Sequence, residues 1–339
     1  MKRNYEPKPL FLERMKSLLG KDFDSYMDIL KKEPVRSLRC NTIKISVEDL
    51  KKRLESKGWK IKTPFKDFPE IMIVENELAP GEFGRALEHL LGYYYIQELA
   101  SMLPVLVLNP KENERVLDLC ASPGSKTTQI AARMNNKGLL IANEVKFGRI
   151  KILSANTERC GVMNMLITKR DGIALCKRFK EENFLFDKIL LDAPCSGEGT
   201  IRSVPKGLEM WNIKTIENLS KLQKSMIASA IEILKPNGEL VYSTCTHAPE
   251  ENEEVVDFAL KNFDVKIEKI NLPIKTRQGI TVWKEKEYSE DVKFSCRIYP
   301  QDADTEGFFI AKIKKLGDIS HEQKFSGKIK RKKPEVSSQ

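Results

Sequence analysis

The sequence has little of what membrane, metal and dinucleotide proteins need. Across its 339 residues no apolar run approaches the ~18 that a membrane span requires, so no membrane partner is expected. No hydrophobic stretch follows the charges of Met1-Lys2-Arg3-Asn4-Tyr5, and no secretory signal is expected either. Histidine is scarce, and His89, His247 and His321 do not cluster. The seven cysteines are odd in number, scattered, and form no Cys-x-x-Cys pair, which argues against a metal site and a disulfide framework. Free thiols fit a reducing compartment, and the expected location is cytoplasmic. A Gly-x-Gly-x-x-Gly fingerprint is missing, and there are no internal repeats.

Charge of one sign is in mild excess: 58 lysines and arginines against 48 acids give a formal +10. The segment from Lys324 onward holds six basic residues and one acid, so +5 of that excess lies in a short tail. Its centre, Lys328-Ile329-Lys330-Arg331-Lys332-Lys333, is too polar to pack. It reads either as a solvated, disordered end or as a phosphate-binding extension or localisation signal. The remaining charge, spread over the body, mildly favours a polyanionic partner. Hydrophobic residues make up 41%, enough for a sizeable core. The length suits two domains, or one large α/β domain with an appendage.

Residues 1–35 read as helical, with Leu10, Phe11, Met15, Leu18 and Leu19 near helical spacing. A strand is expected over 36–42, then a helix from Val47 to Lys57 with Ser46 as N-cap and Gly58 as stop. Strands at 59–61 and 71–74 complete a small α+β domain, taken as residues 1–92. From Gln97 the pattern changes to strands at 115–119, 139–143, 164–169, 187–191, 239–243 and 308–314, alternating with helices. One helix is plain, with Leu222, Met226, Ile227, Ala230, Ile231 and Leu234 on one face and a stop at Lys235-Pro236-Asn237-Gly238. Such alternation predicts an α/β, doubly wound, mostly parallel sheet over residues 93–316, with ligands at the strands' C-terminal ends. A basic tail follows at 317–339, and a monomer is expected.

The first of these later strands ends in Asp118-Leu119-Cys120 and runs through Ala121, Ser122, Pro123, Gly124 and Ser125 into a helix starting near Lys126. A glycine at such a turn lets a ligand approach the backbone, and a helix N-terminus adds a favourable dipole. Alone, the loop reads equally as a plain tight turn. Glu144, at the end of the second strand, is placed to accept from ribose hydroxyls. Asp171, after the third, is placed to meet the exocyclic amine of adenine. Arg149 either pairs with a carboxylate or is a surface charge. Acids at successive strand ends with a one-glycine loop fit S-adenosylmethionine better than a nicotinamide dinucleotide.

Two further strand ends carry cysteine: Leu191-Asp192-Ala193-Pro194-Cys195-Ser196-Gly197 and Val241-Tyr242-Ser243-Thr244-Cys245-Thr246. If the three strands are neighbours, both thiols and the loop face one crevice. Most free cysteines are small buried apolar residues, and either one alone would be read that way. Both together, each in a Pro- or Thr-flanked turn, point to chemistry. Carbon 5 of a pyrimidine is not nucleophilic in the resting ring. A thiolate adding to carbon 6 makes it so, and a base must later remove the carbon 5 proton. Two cysteines can divide those tasks. An unperturbed thiol, with pKa ~8.5, is only a few per cent ionised at neutral pH; helix N-termini and Lys126 are expected to lower that value here. Cys40, Cys160, Cys176 and Cys296 read as structural, and Cys120 as a contributor of loop backbone.

The motifs Cys120–Lys126, Asp192-Ala193-Pro194-Cys195-Ser196-Gly197-Glu198-Gly199 and Ser243-Thr244-Cys245-Thr246 resemble those of the Nop/Sun family of RNA cytosine-5 methyltransferases. So do Tyr95-Ile96-Gln97-Glu98-Leu99-Ala100-Ser101-Met102, Pro249-Glu250-Glu251-Asn252-Glu253 and Thr305-Glu306-Gly307-Phe308-Phe309. The resemblance runs from about Arg36 to Lys315. It implies a Rossmann-like methyltransferase sheet, an N-terminal RNA-binding domain, and a tRNA or rRNA substrate. It further implies that Cys245 is the nucleophile and Cys195 assists product release. Asp192 would touch methyl donor and cytosine, Lys126 would join the catalytic set, and the loop, Glu144, Arg149 and Asp171 would bind S-adenosylmethionine. Glu144 stands where the family often has Asp, a change that lengthens reach by one methylene.

Three rivals are weaker. A DNA cytosine-5 methyltransferase would need a Glu-Asn-Val motif, which is absent. A non-catalytic RNA-binding or ribosome-assembly factor would be expected to lose one cysteine. A small-molecule methyltransferase would not need the N-terminal domain.

Overall fold

The computed structural model describes residues 6–317; the expected basic tail lies outside the described residues from 318 onward. The chain opens with α1 (Pro9–Leu19) and α2 (Phe23–Ile29). There follow β1 (Arg36–Cys40), α3 (Val47–Glu55), β2 (Ile61–Lys62), β3 (Ile71–Val74), α4 (Glu82–Arg85), α5 (Leu87–Leu90) and β4 (Tyr94–Ile96). Ser46 caps α3 as expected, its side chain accepting from the Asp49 amide. The four strands form an antiparallel sheet in the order β2-β3-β1-β4 around Leu38, Leu50, Leu54, Trp59, Met72 and Tyr94. β4 had no counterpart in the sequence pattern. The opening helices pack elsewhere: Phe11, Met15, Leu19 and Tyr26 meet Ile201, Leu208, Trp211, Ile216 and Tyr299 of the second half.

That half begins with α6 (Leu99–Leu108), apolar on all sides and packed on the central strands of the large sheet. It continues through β5 (Arg115–Asp118), α7 (Ser125–Arg133), β6 (Leu139–Asn143), α8 (Phe147–Cys160), β7 (Met165–Thr168), α9 (Gly172–Glu181) and β8 (Phe186–Asp192). Next come α10 (Gly207–Met210), α11 (Ile213–Glu232), β9 (Leu234–Thr244), α12 (Glu253–Asn262), β10 (Val265–Glu268) and β11 (Arg277–Gln278). The hairpin β12 (Val282–Trp283) and β13 (Lys286–Glu287), β14 (Cys296–Ile298), α13 (Pro300–Ala303) and β15 (Phe308–Lys315) complete it.

The sheet runs β7-β6-β5-β8-β9, all parallel, and continues antiparallel through β15, β14 and β11, with β10 also on β15. Successive residues of the central strands point to opposite faces and enter different cores. Leu117, Ile189, Leu191 and Tyr242 lie in one, and Val116, Leu140, Leu190 and Val241 in the other. The expected doubly wound sheet and small α+β domain are both present. One helix end is corrected. α11 starts at Ile213 and stops at Glu232, short of the Pro-Asn-Gly turn, because buried Leu234 already pairs with Phe186 in the ladder.

Candidate active site

β5, β8 and β9 are adjacent, so the glycine loop and both cysteine turns do end at one edge of the sheet. Strand order reverses between β5 and β8, the place where open α/β sheets bind ligands. The parallel register sets Asp192 opposite Ser243, and Ser243 Oγ donates to Asp192 Oδ1 at 2.8 Å. Just beyond that pair the sulfurs of Cys195 and Cys245 lie 3.3 Å apart, each half-buried. Lys126, in the first turn of α7, forms an ion pair with Asp192 at 2.8 Å and donates to Ser101 Oγ at 2.9 Å. Four expected residues, Lys126, Asp192, Cys195 and Cys245, therefore form one cluster.

The two cysteine turns are tied to each other and to what lies behind them. Ser196 and Thr246 share a hydroxyl hydrogen bond of 2.8 Å, and Thr246 Oγ1 donates to Glu198, which also accepts from Trp211 Nε1. Gly199 N donates to Cys245 O at 2.9 Å, and Gly307 N to Gly199 O at 2.8 Å. Neither glycine has room for a side chain: a Cβ on Gly199 would lie 2.3 Å from Gly307 O. This close approach accounts for the Glu198-Gly199 and Glu306-Gly307 motifs.

The run Glu250-Glu251-Asn252-Glu253 supplies four separate supports. Glu250 takes a paired hydrogen bond from Arg14 of α1. Glu251 accepts from the Ser196 amide at 3.0 Å, Asn252 clasps Thr244 and Thr246, and Glu253 pairs with buried Arg297, which in turn donates to His247 O. The sequence flagged this run as a motif without assigning it a task. Ser101 and Ser243 were missed likewise, because only their neighbours in space reveal them.

The electrostatics correct one expectation. The Cys195 thiol is pushed well above the usual thiol value, by its hydrogen bond with Cys245, by burial and by the Glu251 charge. The net shift is upward, opposite to the lowering expected from helix N-termini and Lys126. Burial also raises Cys40, Cys160, Cys176 and Cys296, the four read as structural. Cys120 is raised by burial and by Asp118, Asp192 and Glu144. Burial, aided by Arg297, holds His247 down at about 3, so its ring is neutral.

On the cofactor side, Gly124 adopts φ +103°, which glycine alone takes without strain, and its bare Cα packs toward Leu153. Asp118 Oδ2 accepts from Thr127 Oγ1 at 2.7 Å, while its Oδ1 is buried without a hydrogen-bond partner. Burial lifts this carboxyl to about 7. Glu144, buried at the end of β6, accepts from the Lys146 amide and pairs with Arg149 at 3.2 Å. Arg149 thus pairs with a carboxylate while its side chain stays half exposed, and its Nη2 also donates to Ser122 O. Ser122 Oγ returns a bond to Arg149 O, so Arg149 of α8 ties the loop to Glu144 at the β6 end. Asp171 is exposed and caps α9 through Oδ1, which leaves its second oxygen available. An orphaned buried carboxyl oxygen, a glycine cradle and a strand-end carboxylate fit the nucleoside and amino-acid ends of S-adenosylmethionine. Among the described residues no His/Cys/Asp/Glu group could hold a metal, and no helix is long and apolar enough to cross a membrane.

A doubly wound sheet with a one-glycine loop at its switch point and paired thiols on the next strands defines a methyltransferase class. The family model for 16S rRNA methyltransferase RsmB/F matches residues 105–314, and that for the N-terminal domain of 16S rRNA methyltransferase RsmF matches residues 8–99. The chain is 44% identical over 284 residues to tRNA (cytosine(49)-C(5))-methyltransferase of Pyrococcus abyssi, across 84% of this chain and 89% of that enzyme. It is 39% identical over 315 residues to ribosomal RNA small subunit methyltransferase F of Vibrio atlanticus, across 91% of this chain but only 64% of that protein. A methyltransferase homolog from Pyrococcus horikoshii superposes with a TM-score of 0.80 at 38% identity, covering 91% of this chain and 95% of that one. NSun6 of the same organism, solved with SFG, gives 0.78 at 27% identity, covering 92% and 99%. The chain belongs to the RsmB/F (Nop/Sun) family of RNA cytosine-5 methyltransferases, with an RsmF-type N-terminal domain.

Proposed function

We propose that this protein forms 5-methylcytosine in structured RNA through a covalent bond between Cys245 and carbon 6 of the target, and that Cys195 releases the product. The observation that carries this reading is the 3.3 Å thiol pair at the ends of adjacent parallel strands, beside Asp192 and Lys126. Cys245 attacks as thiolate, which makes carbon 5 nucleophilic. S-adenosylmethionine, when bound, supplies the electrophilic methyl group. Once Cys245 is a thioether it no longer competes for charge, so Cys195 gives its own proton to solvent. The thiolate so formed takes the proton from carbon 5, the ring double bond re-forms, and Cys245 leaves as thiolate. Lys126 holds the Asp192 carboxylate, whose remaining valence faces the cytosine amino edge and the methyl donor. Cys120–Lys126, Glu144, Arg149 and Asp171 grip the cofactor.

In this reading residues 1–92 are the RNA-contacting domain, 93–316 the methyltransferase domain, and the basic tail a further phosphate contact. Free cysteines throughout suit work in a reducing cytoplasm. A tRNA cytosine is the first substrate to test, because the match to the Pyrococcus abyssi enzyme spans most of that enzyme. The RsmF-type N-terminal domain supports 16S rRNA as the second.

The deciding experiment incubates wild type, Cys195→Ala and Cys245→Ala with S-adenosylmethionine and tRNA or 16S rRNA, then runs a denaturing gel. Cys195→Ala should stay attached to RNA while Cys245→Ala does not, and sequencing the trapped RNA names the cytosine. If neither variant traps RNA and both still methylate, the thiols are not the chemistry.

A further inference from the structure

Adjacent residues of one loop treat the two thiols differently. Glu251 Oε2 accepts from the Ser196 amide at 3.0 Å and from Gln223 Nε2 at 2.9 Å, and the same Nε2 donates to Pro194 O at 2.8 Å. A carboxylate therefore backs the Pro194-Cys195-Ser196 turn. Asn252 instead accepts from Thr244 Oγ1 at 2.5 Å and donates to Thr246 O at 2.9 Å, so a neutral amide backs the Cys245 turn. Both side chains are fully buried, and Glu251 Oε1 has no hydrogen-bond partner. The ionisable groups coupled to the Glu251 charge include Glu198, Arg14, Tyr242 and Cys195.

Sulfurs 3.3 Å apart do not both ionise; the first proton lost belongs to the pair, and the surroundings decide which sulfur keeps the second. We propose that Glu251 is the positioning residue that makes the thiols unequal. Its carboxylate, fixed behind the Cys195 turn, keeps the remaining proton on Cys195 and leaves the thiolate on Cys245. This deepens the two-cysteine reading and explains how identical side chains acquire different roles. Burial lifts the Glu251 carboxyl to about 7, so the bias strengthens as pH rises through neutrality.

The test needs neither RNA nor cofactor. Full-length Cys245→Ala is alkylated with iodoacetamide, and Cys195 modification is followed by mass spectrometry. Adding Glu251→Gln should speed alkylation about tenfold at pH 8, the effect of lowering the thiol pKa by one unit. Glu251→Asp, which keeps the charge, should stay within about twofold. Equal acceleration by both variants, or by neither, overturns the proposal, since a merely structural Glu251 does not distinguish charge from shape. Should Glu251→Gln fail to fold, the pH profile of Cys245→Ala itself decides. Its alkylation should rise less than tenfold per pH unit near pH 7, and a plain single-thiol slope overturns the idea. If these arms succeed while Cys195→Ala traps no RNA, the charge bias stands and the adduct mechanism fails.

Discussion

Gly307→Ala asks whether packing holds the Cys245 loop in place. A Cβ at Gly307 would lie 2.2 Å from His247 Cε1, 2.5 Å from His247 Nε2 and 2.8 Å from Gly199 Cα. The ring cannot retreat. It stacks on Tyr299 with centroids 5.0 Å apart and meets Tyr26 edge-on at 5.5 Å, and all three rings are buried. His247 lies two residues past Cys245, and Gly199 N is bonded to Cys245 O, so either escape moves the cysteine. Overpacking costs about 1–3 kcal/mol, and a clash with both a ring and a backbone places this variant near about 3. Urea unfolding measures that loss. An ångström of displacement at a reacting group lowers rate on the order of 10²-fold, so RNA adduct formation should fall by that much. Calorimetric binding of S-adenosylmethionine should stay within about twofold, because loop and β6 end are fixed by Ser122, Glu144 and Arg149. His247→Ala opens the space, and in that background Gly307→Ala should cost at least about 1 kcal/mol less. Unchanged urea midpoint and unchanged adduct rate in Gly307→Ala would show that packing does not hold the loop.

Glu306 gives a pH-dependent prediction. It is buried beside Ser203, one oxygen lacks a partner, and burial together with the Glu98 charge lifts its carboxyl to about 7. The folded protein holds a proton that the unfolded chain releases near its ordinary value of about 4.3. That contribution to stability is complete below this value and is lost as pH rises through about 7. Glu306→Gln lacks the loss and should gain about 2–3 kcal/mol on wild type between pH 5 and pH 8, measured by urea unfolding at both. A difference independent of pH contradicts it. Arg14 donates twice to Glu250, at 3.0 and 2.8 Å, with both side chains largely buried. Arg14→Ala strands the carboxylate and should cost about 3 kcal/mol, whereas a loss under about 1 would mean that water replaces the arginine.

The alternation of apolar strands and amphipathic helices made the large sheet legible, and two cysteines at strand ends marked the edge where the candidate site lies. Local patterns could go no further. β4 is three residues long, too short for alternation to mark it, although Tyr94, Tyr95 and Ile96 are all strand-favouring types. The opening helices showed their apolar stripe, but not that Phe11 and Tyr26 would pack against Trp211 and Tyr299. Leu222 fitted the apolar face of α11 by spacing and is nevertheless exposed, since in this part of the helix Ile216, Ser220 and Gln223 are the residues turned inward. Glu251 and Asn252 look alike in sequence, two polar residues after a turn. Their opposite effects exist only once Ser196 and Thr246 are brought beside them.

The thiol contact depends on a property of the strands, not of the turns. β8 and β9 run parallel in register from Lys188 opposite Glu239 to Asp192 opposite Ser243. A slip of one residue would reverse every side chain between faces. If β9 slipped, Val241 and Tyr242 would exchange cores, and both are fully buried. Each would then meet a close-packed site of the wrong shape, and misfit of that kind costs about 1–3 kcal/mol per side chain. The apolar alternation thus locks Asp192 to Ser243, and Cys195 and Cys245 follow only three and two residues later. So short a tether, pinned further by Glu251 and Asn252, leaves the sulfurs little freedom to part. The proposed chemistry would inherit its geometry from the core.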